Sequence, residues 1–237
     1  MKIIIATLLI SLNSGLIAGQ DKLPVLAHWS FDKDSGKTLL DSGSGKFNAT
    51  LISKDKSAEV VTEKGIKGKA LKLAARPLVQ FVVNDSRNEL NLTPPFTISM
   101  WIKRTGLMPK SMCLLSKRMD KDKKGWDLKY NWSMISMRFG DGQKRQSIST
   151  PRYQIKNNKW YHIAVTDDGK KVQLYVNCEK VAERDFENST PVPNKIDVVI
   201  GNYPGKNSAY NFIGLIDEIY IVKKVMSGEE LFRQAAF

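Results

Sequence analysis

Cysteine and histidine are scarce, with 2 of each in 237 residues. His28, Cys113, His162 and Cys178 lie far apart in the chain and form no CxxC, which argues against a Cys/His zinc site. No local motif ties a Ser or Cys nucleophile to either histidine, so both are read as core or hydrogen-bonded side chains. A phosphate loop is missing too. Gly36-Lys37-Thr38 imitates the end of one, but the glycine needed five positions earlier is Phe31. Beyond the first 20 residues no apolar run approaches the roughly 20 residues that cross a bilayer. Acidic residues are outnumbered, 24 against 37 basic, for a formal charge of +13. Such a field favours polyanions: anionic or sulfated polysaccharide, an anionic surface, or nucleic acid. The densest basic stretch, 117–129, also holds Asp120, Asp122 and Asp127, so it is no polybasic arm, and no specific nucleic-acid partner is expected.

What is present begins with an export pattern. Lys2 precedes a mostly apolar stretch, Ile3 to Ile17, interrupted at Ser11, Asn13 and Ser14, and Ala18-Gly19-Gln20 offers small residues for cleavage. This layout predicts a secretory signal over 1–19, the alternative being an uncleaved N-terminal anchor. The protein is then expected to be secreted, periplasmic or at the cell surface. There the thiols of Cys113 and Cys178 could form a disulfide if their strands are neighbours, or stay apart as small buried hydrophobes.

The rest, 20–237, reads as one all-β domain. Phe96, Ile98, Met100 and Ile102 alternate with other residues and share one face, the period of a strand. Further short strand patterns cover 26–31, 47–52, 70–73, 78–83, 111–116, 126–130, 133–139, 160–166, 171–176, 181–182, 198–201 and 212–222. Turn compositions separate them, among them Asp167-Asp168-Gly169-Lys170, a hairpin signal. The exception is the C-terminus, where Ser227 and Glu230 make a capping box ahead of Leu231, Phe232 and Ala235. Regularly spaced short strands predict two antiparallel sheets packed as a sandwich, with a short C-terminal helix.

Several motifs occur in a recognisable order. They are Ala27-His28-Trp29-Ser30-Phe31-Asp32, Asp41-Ser42-Gly43, and the run Gly65 to Leu71. Then follow Phe96 to Ile102, Trp160 to Val165, Leu174 to Asn177, Gly214 to Ile219 and Met226 to Leu231. In this order the chain resembles the laminin-G-like group of the concanavalin A-like lectin/glucanase superfamily, over nearly all of 20–237. The resemblance implies a jelly roll and speaks poorly to activity, since that fold hosts lectins, adhesion modules and hydrolases. One departure is Asn177-Cys178, where such proteins carry Asn-Gly or Asp-Gly; a primed turn wants positive φ, which Cys resists.

Three sets of candidate residues follow. A structural Ca2+ is implied where first and last strands meet, with Asp32 and Asp217 as ligands and Asp41 either assisting or capping its own turn. Asp217 stands in an otherwise apolar strand, where an unpaired carboxylate is costly. Exposed aromatics stack on sugar rings, so Trp126, Tyr130, Trp132, Tyr203 and Tyr210 form a candidate carbohydrate site, with Trp126 and Trp132 alternatively packing one sheet. Glu183, Asp185 and Glu187 repeat the Glu-x-Asp-x-Glu strand of certain retaining glucanases, interrupted by Arg184. The expected function is a secreted non-catalytic binding module for a polysaccharide or glycan. The alternatives are a glycoside hydrolase using Glu183 and Glu187, and a structural protein-interaction domain.

Overall fold

The computed structural model describes residues 23–105, 111–119, 122–152, 155–205 and 210–236; the expected signal over 1–19 lies outside them. The strands are β1 (Val25–Trp29), β2 (Thr38–Leu39), β3 (Ala49–Ser53), β4 (Thr62–Lys64), β5 (Lys69–Leu73), β6 (Val79–Val83), β7 (Phe96–Arg104) and β8 (Ser111–Ser116). They continue with β9 (Lys124–Asn131), β10 (Met134–Asp141), β11 (Arg145–Ser149), β12 (Trp160–Asp167), β13 (Lys171–Val176), β14 (Glu179–Asp185), β15 (Val198–Ile200) and β16 (Gly214–Val222), followed by helix α1 (Gly228–Ala235).

Two antiparallel eight-stranded sheets result. The first runs β14-β13-β12-β7-β16-β5-β4, with β1 also paired to β16; the second runs β11-β10-β9-β8-β15-β6-β3-β2. Alternation decides which residues lie between them. Phe96, Ile98, Met100 and Ile102 of β7 enter one core with Ile163 and Val165 of β12, Trp126 and Leu128 of β9, and Ile135, Met137 and Phe139 of β10. The two-sheet sandwich and the inward face of β7 agree with the strand pattern. Three short or polar strands, β2, β4 and β11, escaped it. Arg145-Gln146-Ser147-Ile148-Ser149 has one apolar side chain, and only its pairing with β10 makes it a strand.

Helix α1 starts where its cap requires. Ser227 Oγ accepts from Glu230 N, and the Glu230 carboxylate accepts from Ser227 N at 2.8 Å. Leu231 then packs with Met226, Ala164, Tyr175 and Val222 on the outer face of the first sheet. The turn Asn177-Cys178 keeps positive φ at both positions, 52° and 66°. The primed turn therefore persists with a Cys where Gly is favoured.

The two thiols do not pair. Cys113 is in β8 of the second sheet and Cys178 in the β13–β14 turn of the first, and both are free. Cys113 Sγ faces Leu128 O at 3.9 Å, and Cys178 Sγ lies 3.6 Å from His162 Nδ1. Each thiol is held on a different sheet, the second of the two alternatives the sequence left open.

Candidate functional site

The outer face of the second sheet carries a charged layer that alternation places there. In β9, Trp126, Leu128 and Tyr130 point to the core, so Asp127 and Lys129 take the other face. Register then sets Arg138 opposite Asp127. The Arg138 guanidinium grips the carboxylate with two bonds of 2.9 Å, and Arg118 Nη1 adds a third at 2.9 Å. Asp127 and Arg118 are wholly buried.

The β15–β16 connection lies over this layer. Gln80 on β6 anchors it, Nε2 donating to Tyr203 O at 2.8 Å and Gly205 O at 2.7 Å. Tyr203 OH accepts from Arg138. Tyr203 and Tyr210 meet edge to face, centroids 5.0 Å apart, and Lys129 Nζ stands 5.9 and 5.8 Å from the two rings. Tyr203 is buried and Tyr210 half-buried. Trp132 is 55% exposed in the β9–β10 turn. Tyr203 and Lys129 are covered, so Tyr210 and Trp132 are the rings that solvent reaches here.

The five aromatics do not converge. Trp126 is fully buried, its indole N–H donated to Leu90 O at 2.8 Å. Tyr130 is buried beneath the Arg104 guanidinium, 4.3 Å from the ring centroid, and its hydroxyl accepts from Arg104. Neither ring can meet a ligand, which corrects their assignment; Tyr203 and Tyr210 come together and Trp132 stands at the strand end. Lys129, Arg138 and Arg118 were missed, although the alternation Trp126-Asp127-Leu128-Lys129-Tyr130 contains the signal.

The carboxylates expected for calcium grip one turn. Asp217 Oδ2 accepts from Ile66 N at 2.8 Å and Lys67 N at 3.2 Å, and Asp32 Oδ1 from Lys69 N at 2.8 Å. Asp217 Oδ1 is buried without a hydrogen-bond partner, and burial pushes the carboxyl up to about 7. An orphaned hard oxygen suits a hard cation. Among the described residues no three His, Cys, Asp or Glu side chains gather as a metal site, so backbone carbonyls would have to complete the shell. Asp41 caps its own turn, accepting from His28 N, Gly43 N and Phe47 N at 2.7, 2.7 and 2.6 Å.

Two groupings of titratable side chains among the described residues are held by bonds within the protein. Glu183 is exposed and bound by Lys180, Gln173 and Lys171 at 2.6, 2.6 and 3.0 Å. These donors pull its pKa down to about 2, whereas a general acid needs a raised one. Glu187 lies past the end of β14 and is also exposed. His28 bridges Ser42 Oγ at 2.8 Å and Glu218 Oε2 at 2.9 Å and stacks on Tyr220 at 3.9 Å. The N–H groups of Ser42, Gly43, Ser44 and Gly45 beside it are all bonded within the protein and so are not free oxyanion donors.

A family model described as the concanavalin A-like lectin/glucanases superfamily matches residues 80–232. Non-toxic nonhemagglutinin type D of Clostridium botulinum D phage is 28% identical over 200 residues, 82% of this chain and 15% of that protein. The type C protein of Clostridium botulinum C phage is 26% identical over 206 residues, 85% and 16% respectively. The chain thus spans a small part of these relatives. Among solved structures, domain 4 of AbnA, a GH43 extracellular arabinanase from Geobacillus stearothermophilus, in complex with arabinotriose, superposes with TM-score 0.68 at 19% identity, covering 91% of this chain and all of that one. The binding domain of Paraclostridial Mosquitocidal Protein 1 gives 0.69 at 19% identity, covering 90% and 52%. Among the described residues no helix is long and apolar enough to cross a membrane.

Proposed function

The chain belongs to the concanavalin A-like lectin/glucanases superfamily, and from that membership we propose that it is an exported, non-catalytic module that binds carbohydrate. The observation that carries the reading is the pair of rings solvent can reach beside the second sheet, half-buried Tyr210, packed edge to face on buried Tyr203, and exposed Trp132 in the β9–β10 turn. Such rings can cover the C–H face of a sugar. The likeness to an arabinanase domain seen with arabinotriose and to the binding domain of Paraclostridial Mosquitocidal Protein 1 supports binding over hydrolysis. So does Glu183, which is held ionised. The turn gripped by Asp32 and Asp217 would hold a structural Ca2+, whose contribution is to tie β1 and β16 to the β4–β5 turn.

A glycan array probed with the protein tests this. Binding to a defined glycan group, lost in Tyr210→Ala while the fold persists, is expected. Silence across the array, or release of reducing ends from β-glucans that Glu183→Gln abolishes, replaces the reading.

A further inference from the structure

Lys117 and Asp85 meet out of reach of water. Lys117 Nζ lies 2.6 Å from Asp85 Oδ2, and neither side chain is exposed. The other lysine–carboxylate pairs among the described residues, such as Lys171–Glu183 and Lys224–Glu230, all reach solvent. Arg118–Asp127 is equally buried, but a guanidinium keeps its proton, whereas a lysine that gives one up becomes a nucleophile.

Both residues are held in place by their own backbones. Asp85 follows β6 and Lys117 follows β8, 32 positions on, and both strands pair with β15. Lys117 N donates to Trp126 O at 2.9 Å, and Lys117 O accepts from Asn194 Nδ2 at 2.8 Å. Asp85 O accepts from Asn88 N at 2.9 Å. Groups fixed in contact and well oriented reach effective molarities of about 10⁵–10⁸ M.

The neighbouring bonds treat the two carboxylate oxygens differently. Oδ2 accepts from Leu90 N at 3.1 Å as well as from Lys117. Oδ1 is buried without a hydrogen-bond partner. Nζ has a second acceptor, Ile196 O, at 2.8 Å. As an ion pair the arrangement is incomplete, because a desolvated carboxylate oxygen without a donor costs free energy. As an amide it is complete. Oδ2 becomes the amide oxygen and keeps the Leu90 N–H. The nitrogen keeps one hydrogen for Ile196 O. The orphaned Oδ1 is no longer there, and neither is either buried charge.

We propose that Lys117 and Asp85 condense to an intramolecular isopeptide bond, with the ion pair as the reactant state. Proton transfer within the pair leaves no charge in the low-dielectric interior. The neutral Nζ then attacks Cγ while the Leu90 N–H stabilises the negative charge that develops on Oδ2. The Nζ–Cγ bond forms, the Cγ–Oδ1 bond breaks, and Oδ1 leaves as water. Of the three ammonium protons, one stays on the amide nitrogen and two leave with the water, so net charge and oxidation state are unchanged. Exclusion of water protects the product from hydrolysis. The bond staples the ends of β6 and β8 in a chain whose thiols do not pair, and it does not depend on carbohydrate binding.

Mass spectrometry of the folded protein, purified and then incubated near neutral pH, tests this. Wild type should fall short of its processed sequence by the mass of one water. The deficit should survive denaturation and reduction, and a protease digest should contain one branched peptide joining Asp85 to Lys117. Asp85→Asn should give the same branched peptide with loss of ammonia in place of water. Asp85→Leu with Lys117→Met removes both reactants without stranding a charge and should show its full mass. A full wild-type mass after incubation, with Asp85 and Lys117 on separate peptides, overturns the proposal. So does a water loss that maps instead to another position, such as Asp141-Gly142 or Asp168-Gly169.

Discussion

Lys117 Nζ stands 2.6 Å from Asp85 Oδ2 with both side chains fully buried. The pair ties the connection after β6 to the one after β8. Lys117 also donates to Ile196 O at 2.8 Å, and Asp85 Oδ2 accepts from Leu90 N at 3.1 Å, so each charge is partnered more than once. Removing one partner strands the other in low dielectric. We expect Asp85→Ala to lower stability by about 3–5 kcal/mol in urea titration. The double change Asp85→Leu with Lys117→Met should recover most of that loss. A single-mutant effect under about 1 kcal/mol would show the pair to be hydrated in solution.

The two thiols should both be free in protein recovered without reductant. Alkylation after denaturation, followed by mass spectrometry, should label Cys113 and Cys178 alike, and reductant should leave the melting temperature unchanged. Cys178→Gly relaxes a residue at φ 66° and should be neutral or stabilising by up to about 1 kcal/mol. A linked Cys113–Cys178 peptide would contradict the separation of the two side chains onto different sheets.

His162 should set part of the acid sensitivity. Burial lowers its pKa from 6.5 to about 4, with Trp101 and the Cys178 thiol as its neighbours. The unfolded chain takes up a proton near pH 6.5 while the folded one waits until about 4. Stability is therefore lost as pH falls through that window, by about 3 kcal/mol at its lower end. The difference between wild type and His162→Gln isolates this effect, because Asp217 titrates with the opposite sign in both proteins. A difference that does not change between pH 7 and 4 would refute it.

Calcium should stabilise the protein through Asp217. At a hundredfold excess over Kd the gain is about 2.7 kcal/mol, which raises Tm by about 5–10 °C in a chain of this size. Chelation should reverse the gain, and Asp217→Asn should abolish the response to both. Identical melts with calcium and with chelator would leave Asp217 as a buried carboxyl serving only the β4–β5 turn.

Local pattern alone determined much of this protein. The alternation of β7, the Asp168-Gly169 hairpin and the Ser227–Glu230 capping box each depend on a few neighbouring residues, and each appears where expected. The face taken by Trp126 and Tyr130 was equally legible, because Asp127 and Lys129 alternate with them; grouping aromatics by proximity along the chain obscured it. Other features needed the folded molecule. Nothing local says that Cys113 and Cys178 lie on different sheets, that Tyr203 reaches Arg138, or that Asp32 and Asp217 meet at one turn. These contacts join residues tens to more than a hundred positions apart, and strand order and register set them. Pairing order emerges from the packing of whole sheets, so it decides which buried charges meet and which side chains a ligand can reach.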